Sequence, residues 1–187
     1  MTIPRIHSDY IGAGRFLALG DDELLAVNTD YGVQAIGLDG KVHWRVELVE
    51  RCLGLIEDSE GGMVASTAHA VHRISRNGEL VDTRPTRHGL RRPPVRWGDG
   101  FLLGTRTRVY ALDSAGESRW RYRLRKSLGE SVQSVFFTGI VPVGDMAAIA
   151  AIDQDTGIGR VVVLDKEGEL RWQSEPGAIT VSASMKV

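Results

Sequence analysis

Cysteine is almost missing from this chain: Cys52 stands alone among 187 residues. One thiol forms neither an internal disulfide nor a thiolate metal cluster, so the fold is not a stapled one. Proline is scarce at 6 residues, while glycine reaches 22, a ratio that suits many tight turns between short strands. No apolar run reaches the roughly 20 residues of a membrane-spanning helix. The opening MTIPRIHSDYIGAGRFLALG has no unbroken apolar signal core, and no Asn-x-Ser/Thr acceptor occurs. The expectation from these absences is a cytoplasmic protein with no membrane association, unless a leader has been removed. Neither charge dominates: 23 Lys and Arg face 24 Asp and Glu, a net charge of −1. No global pull toward nucleic acid or anionic lipid follows. Phosphate-loop, dinucleotide, nucleophile-elbow and zinc-protease motifs are all missing. So is the sustained three-to-four periodicity of an amphipathic helix.

What the chain does have is a repeat. The segments VQAIGLDGKVHW, VHRISRNGELVD, VYALDSAGESRW and VVVLDKEGELRW begin at Val33, Val71, Val109 and Val161. Seven residues on, each has a glycine (Gly40, Gly78, Gly116, Gly168), and four beyond that come Trp44, Asp82, Trp120 and Trp172. Alternating apolar residues on both sides of a polar, glycine-containing turn predict a β-hairpin. Another strand precedes each hairpin (ELLAVNTD, GMVASTAH, GFLLGTRT, DMAAIAAI), and a less regular one precedes that, as in PPVRW and SVFFTGIVPV. Four antiparallel strands per repeat describe a propeller blade. The fold class is therefore all-β, a β-propeller with four four-stranded blades in this chain. One domain spans 1–187, with blades over approximately 13–48, 52–85, 93–125 and 132–175 and an additional strand or closure segment at 176–187. The glycines are spaced by 38, 38 and then 52 residues. The excess falls in two loops beside the fourth blade, KSLGESVQ and the AIDQDTGIGR hairpin, where insertions cost little stability.

VYALDSAGESRW resembles the tryptophan-docking repeat of quinoprotein-like (PQQ-like) β-propellers, whose pattern runs Ala-x-Asp-x-x-x-Gly-x-x-x-Trp. Ala111, Asp113, Gly116 and Trp120 fill it with one residue fewer in the turn, and Leu164, Asp165, Gly168 and Trp172 fill most of it. The resemblance covers nearly the whole chain and is structural. It implies that Trp44, Trp120 and Trp172 pack between adjacent blades, with Gly40, Gly78, Gly116 and Gly168 as the turn positions of the same device. Asp82 breaks the pattern and implies a looser or partly exposed second joint. Closure remains open among three forms: four blades alone, two chains forming an eight-bladed ring, or a piece of a longer propeller. A bare half-ring would expose sheet faces and strand edges; the resemblance favours an incomplete ring, completed by a second copy or by further sequence, because its signature is rare in four-bladed monomers.

Candidate chemistry is sparse. Asp153-Gln-Asp155-Thr-Gly157 resembles the start of a calcium loop, but the third ligand is missing and Leu164 stands where the distal glutamate belongs. A polar hairpin tip is the plainer reading, so no metal is expected. Arg119, Arg121, Arg123 and Arg125 alternate with Trp120, Tyr122 and Leu124, which places four guanidiniums on one strand face. With Arg84, Arg87, Arg91, Arg92 and Arg96 they form a candidate anion or partner surface; a charged outer strand that resists edge pairing is the alternative. His69 and His72 fall on opposite faces if both lie in a strand, and Cys52 reads as a small buried residue. No catalytic residue and no cofactor is assigned. The expected function is a non-enzymatic scaffold that engages a protein or small ligand through blade loops or the central channel. Its partner is another protein or a second copy of itself. A quinoprotein-like enzyme fragment, and anion or nucleic-acid binding through the arginine strand, are the alternatives.

Overall fold

The computed structural model describes residues 16–19, 24–58, 60–86, 89–90, 92–129 and 135–178. These residues form four antiparallel sheets, each built from four strands consecutive in the chain. The first contains β1 (Phe16–Leu19), β2 (Leu24–Thr29), β3 (Gly32–Gly37) and β4 (Val42–Glu47). The second contains β5 (Gly54–Glu57), β6 (Met63–Ser66), β7 (Ala70–Ile74) and β8 (Leu80–Pro85). The third contains β9 (Val95–Trp97), β10 (Gly100–Gly104), β11 (Arg108–Leu112) and β12 (Ser118–Arg123). A single helical turn, α1 (Arg125–Leu128), leads to the fourth: β13 (Val135–Val143), β14 (Met146–Asp153), β15 (Ile158–Leu164) and β16 (Leu170–Gln173). A two-residue strand, β17 (Gly177–Ala178), pairs with the start of β15; residues 179–187 lie outside the described residues. This is a β-propeller arrangement of four blades. The first strands of consecutive sheets pack on one another and so lie toward the axis.

The repeat is visible atom by atom in the outer hairpins. Gly40, Gly78, Gly116 and Gly168 all have φ of 80–82°, the left-handed region that favours glycine. Each N–H donates to the carbonyl three residues back, at Gly37, Ser75, Asp113 and Asp165, over 2.9–3.0 Å. Every hairpin then shifts register at one place, between Ala35/Ile36, Arg73/Ile74, Ala111/Leu112 and Val163/Leu164. The extra residue re-aims the outer strand, so Trp44, Asp82, Trp120 and Trp172 pair with Ala35, Arg73, Ala111 and Val163. The inner hairpins have their own closure. The Thr67 and Thr105 hydroxyls accept the N–H of Ala70 and Arg108 at 3.2 and 3.1 Å, a side chain standing in for a turn hydrogen bond.

The core lies between sheets rather than within any one. Strand alternation sends successive side chains to opposite faces, and three clusters result, one per joint. Ala26, Val33 and Ala35 of the first sheet meet Met63, Ala65 and Ile74 of the second. Ile56, Val64 and Val71 meet Phe101 and Leu103 of the third. Leu102, Val109 and Ala111 meet Ile149, Val162 and Leu164 of the fourth. Fully buried Leu, Ile and Met side chains here contribute about 1.5–3 kcal/mol each. Cys52 joins the first cluster at 3 % exposure, and burial pushes its thiol up to about 11.

Candidate functional site

Two joints carry the docking device that the sequence implies, with its geometry now explicit. The Trp44 indole N–H donates to the Arg76 carbonyl of the next sheet's turn at 3.0 Å, and its ring lies over Gly78. A Cβ on Gly78 would fall 2.5 Å from the indole. Trp120 repeats the arrangement one joint later, donating to the Lys166 carbonyl at 2.8 Å with its ring over Gly168. This last joint has a second indole. Trp97 on β9 is buried, donates to the Gly144 carbonyl at 3.2 Å, and meets the Trp120 ring edge-on at 5.6 Å and 78°. Sequence reasoning missed that role, because Trp97 sits in the irregular first strand, outside the repeated dodecamer.

The middle joint is different. Asp82 occupies the docking register and reaches sideways instead of across, accepting from Arg84 Nε at 2.7 Å. The Arg84 side chain then crosses to the third sheet, lies against Gly116, and donates to Glu117 Oε1 at 2.5 Å. The guanidinium beside Asp82 holds that carboxyl below its ordinary range. A thin ionic bridge thus replaces an indole at this joint. A cleft of about 500 Å³ opens there, walled by Val71, Leu90, Leu103, Tyr110 and Leu112, with Arg84, Glu117 and Arg121 at its mouth. The looser joint implied by Asp82 takes this definite form: a cleft with an apolar floor and a charged rim.

The arginine strand divides. Arg119, Arg121 and Arg123 are exposed along β12 while Trp120 and Tyr122 turn inward. Arg125 does not continue that row, because the chain leaves the strand at Leu124 and enters α1. Arg119 is taken up by Asp99 at 2.6 Å. Arg121 reaches the middle cleft, and Arg123 lines a basic crevice of about 280 Å³ with Thr107, Arg108 and Arg125. Arg92 is half-buried; Arg87 and Arg91 lie outside the described residues.

Asp153 is buried at the β14–β15 turn and works locally. Its carboxylate accepts the Asp155 N–H at 3.1 Å and the Thr156 hydroxyl at 2.7 Å, the same turn-closing task that Thr67 and Thr105 perform. Asp155 is exposed. Among the described residues no group of three or more His, Cys, Asp or Glu is placed to hold a metal ion. His69 is exposed and hydrogen-bonded to Glu50 at 2.6 Å, whereas His72 is buried between Thr67 and Thr83, so the two do not converge.

At the two ends of the ring the docking device is incomplete. Trp172 holds the register of Trp44 and Trp120, pairs with Val163, and is 54 % exposed. Gly40, at the tip of the first sheet's outer hairpin, is exposed as well.

No protein-family model matches the sequence, and no curated protein sequence matches it. Solved structures do match in shape. BamB from Moraxella catarrhalis is similar with a TM-score of 0.55 and 18% identity, over 83% of this chain and 62% of its own. The dihydro-heme d1 dehydrogenase NirN, in complex with DHE, reaches a TM-score of 0.66 at 16% identity, over 87% of this chain and 39% of its own. BBS1N in complex with ARL6DN reaches 0.61 at 14%, over 92% of this chain and 55% of its own. The chain thus spans less than two thirds of the length of each. A dehydrogenase and a protein complex stand side by side in this set, so the likeness establishes the β-propeller fold and leaves the chemistry to the individual site.

Proposed function

We propose that this chain is a binding scaffold rather than an enzyme, a propeller of the tryptophan-docking, quinoprotein-like kind that takes up a protein partner at its middle joint. The observation that carries this reading is the cleft beside Asp82. Ligand sites are concave and mainly apolar, with a few placed polar groups, and this cleft joins an apolar wall of Leu103, Tyr110 and Leu112 to a rim of Arg84, Arg121 and Glu117. Its position suggests its occupant. Where the neighbouring joints place an indole over a turn glycine, Gly116 has only the Arg84 side chain against it. An aromatic side chain from a partner, entering past Arg121, would lie on the apolar wall beside the Arg84 bridge. The neighbour whose structure is a complex of two proteins agrees with such use of the fold without identifying a partner for this chain.

The test uses N-acetyl-tryptophanamide as the probe, titrated into 15N-labelled protein. A fragment of this size binds at roughly millimolar affinity. Amide shifts are expected at Val71, Leu103, Tyr110 and Gly116, and Asp82→Trp, which supplies the indole from within, should abolish them. Shifts elsewhere, or shifts that persist unchanged in Asp82→Trp, would sink the reading.

A further inference from the structure

We infer that two copies of this chain close head to tail, each Trp172 docking on the Leu38–Lys41 turn of the other, to give a single ring of eight sheets. The device is defined by its two internal uses. In both, an indole N–H donates to the first carbonyl inside the next sheet's turn (Arg76, Lys166) while the ring covers the left-handed glycine two residues on (Gly78, Gly168). The sequence pattern offers three indole plugs, with Asp82 at the fourth position, and four glycine sockets. Trp44 and Trp120 fill the sockets at Gly78 and Gly168, and Arg84 occupies the one at Gly116. What remains is one indole, Trp172, and one socket, the turn whose Leu38 carbonyl and Gly40 match Arg76 and Gly78 position for position. Gly40 has the same φ, 80°, and Leu38, 64 % exposed, stands clear at the tip.

The sheet faces behind these groups match in the same way. On the fourth sheet, Val141, Ala148, Val163 and Trp172 pair in one row across all four strands. They lie opposite the residues that pack on the third sheet, and Val141 and Trp172 are exposed. Their counterparts on the third sheet, Leu102, Ala111 and Trp120, are the ones that meet a following sheet. On the first sheet, Leu25 and Ile36 pair with each other at the positions of Met63 and Ile74, which in the second sheet meet a preceding one. Among the described residues no sheet follows the fourth or precedes the first, and these two sheets share no substantial contact. Two such copies about a two-fold axis satisfy both ends at once, and the assembly is closed rather than endless. A second copy carries both the matching indole and the matching socket, and neither involves the cleft at the middle joint.

Sedimentation equilibrium across the micromolar range tests it, with far-UV circular dichroism to confirm folding. The expected mass is twice 20.5 kDa. Trp172→Ala, at an exposed site, should weaken association at least hundredfold, since an indole is lost at both joints. Gly40→Ala, which puts a methyl group beneath the incoming ring, should do the same. Gly116→Ala carries the same backbone strain at an internal turn and should leave the mass doubled, so strain alone is controlled for. A wild-type monomer, the result expected if further sheets of a longer chain cover these faces, overturns the inference. So does a dimer that survives both Trp172→Ala and Gly40→Ala, or a mass that keeps growing with concentration as open chains would.

Discussion

At the scale of single residues the joints are decided by what lies over four glycines. All four share the left-handed backbone, so Gly→Ala costs each about 1 kcal/mol of conformational strain. The neighbours then separate them. A methyl group at Gly78 or Gly168 would meet an indole at 2.5 or 2.6 Å, whereas at Gly116 it would meet the flexible Arg84 chain at 3.3 Å. Gly78→Ala and Gly168→Ala should therefore lose about 2–4 kcal/mol in urea melts, overpacking added to strain, and Gly116→Ala only about 1 kcal/mol. Equal losses at all three would contradict the docking geometry. The glycines and tryptophans could be read from the sequence because they recur at a fixed offset, and periodicity survives the lack of any relative. Arg84 could not. An arginine two positions past Asp82, with a glutamate on another repeat, looks like ordinary surface charge until the sheets are stacked. Carboxylates at alternate positions describe the start of a calcium loop and a side-chain-closed turn equally well, and the contacts of Asp153 are those of the turn.

At the scale of strands, the middle joint makes β8 less secured than β4 and β12. β4 and β12 each lean an indole on the next sheet, while β8 exposes Leu80 and Val81 and depends on Arg84 and its two carboxylates. Salt screens exposed charges within about 3 Å at 1 M. Acid acts in the same direction. Hydrogen bonding from Arg84 holds Asp82 below the ordinary carboxyl value of 3.8, so its share of stability is present above that value and is lost as pH falls through the lower, folded one. Hydrogen-exchange protection of β8 should thus drop in 1 M salt, and again below pH 3.8, while β4 and β12 keep theirs. Protection in β8 that follows the other two strands would refute this account. The strand boundaries themselves were legible from alternation and turn residues. The end of the arginine row was not, because nothing local in Leu124-Arg125 announces that the chain leaves the sheet; the following sheet, against which α1 packs, decides it.

At the scale of the molecule, the number of sheets and their order along the chain were open to sequence reasoning, since each repeat pairs with itself before it meets a neighbour. The state of the ring was not, because closure depends on surfaces from opposite ends of the chain. If each copy supplies the other's missing neighbour, the melting temperature must rise with chain concentration by mass action. Trp172→Ala should flatten that dependence and leave the dilute limit unchanged. A wild-type melting temperature independent of concentration would argue for a lone chain. The ionic bridge at Arg84 has one further consequence, mechanical in kind. A closed ring fixes the total rotation that its joints share, and rigid indole-packed joints cannot absorb an error in that total. A joint held by long, pivoting side chains can. In such a ring the pair of sheets before it and the pair after it would behave as two stiff blocks on a compliant hinge, and a group wedged into the hinge would set the angle between them.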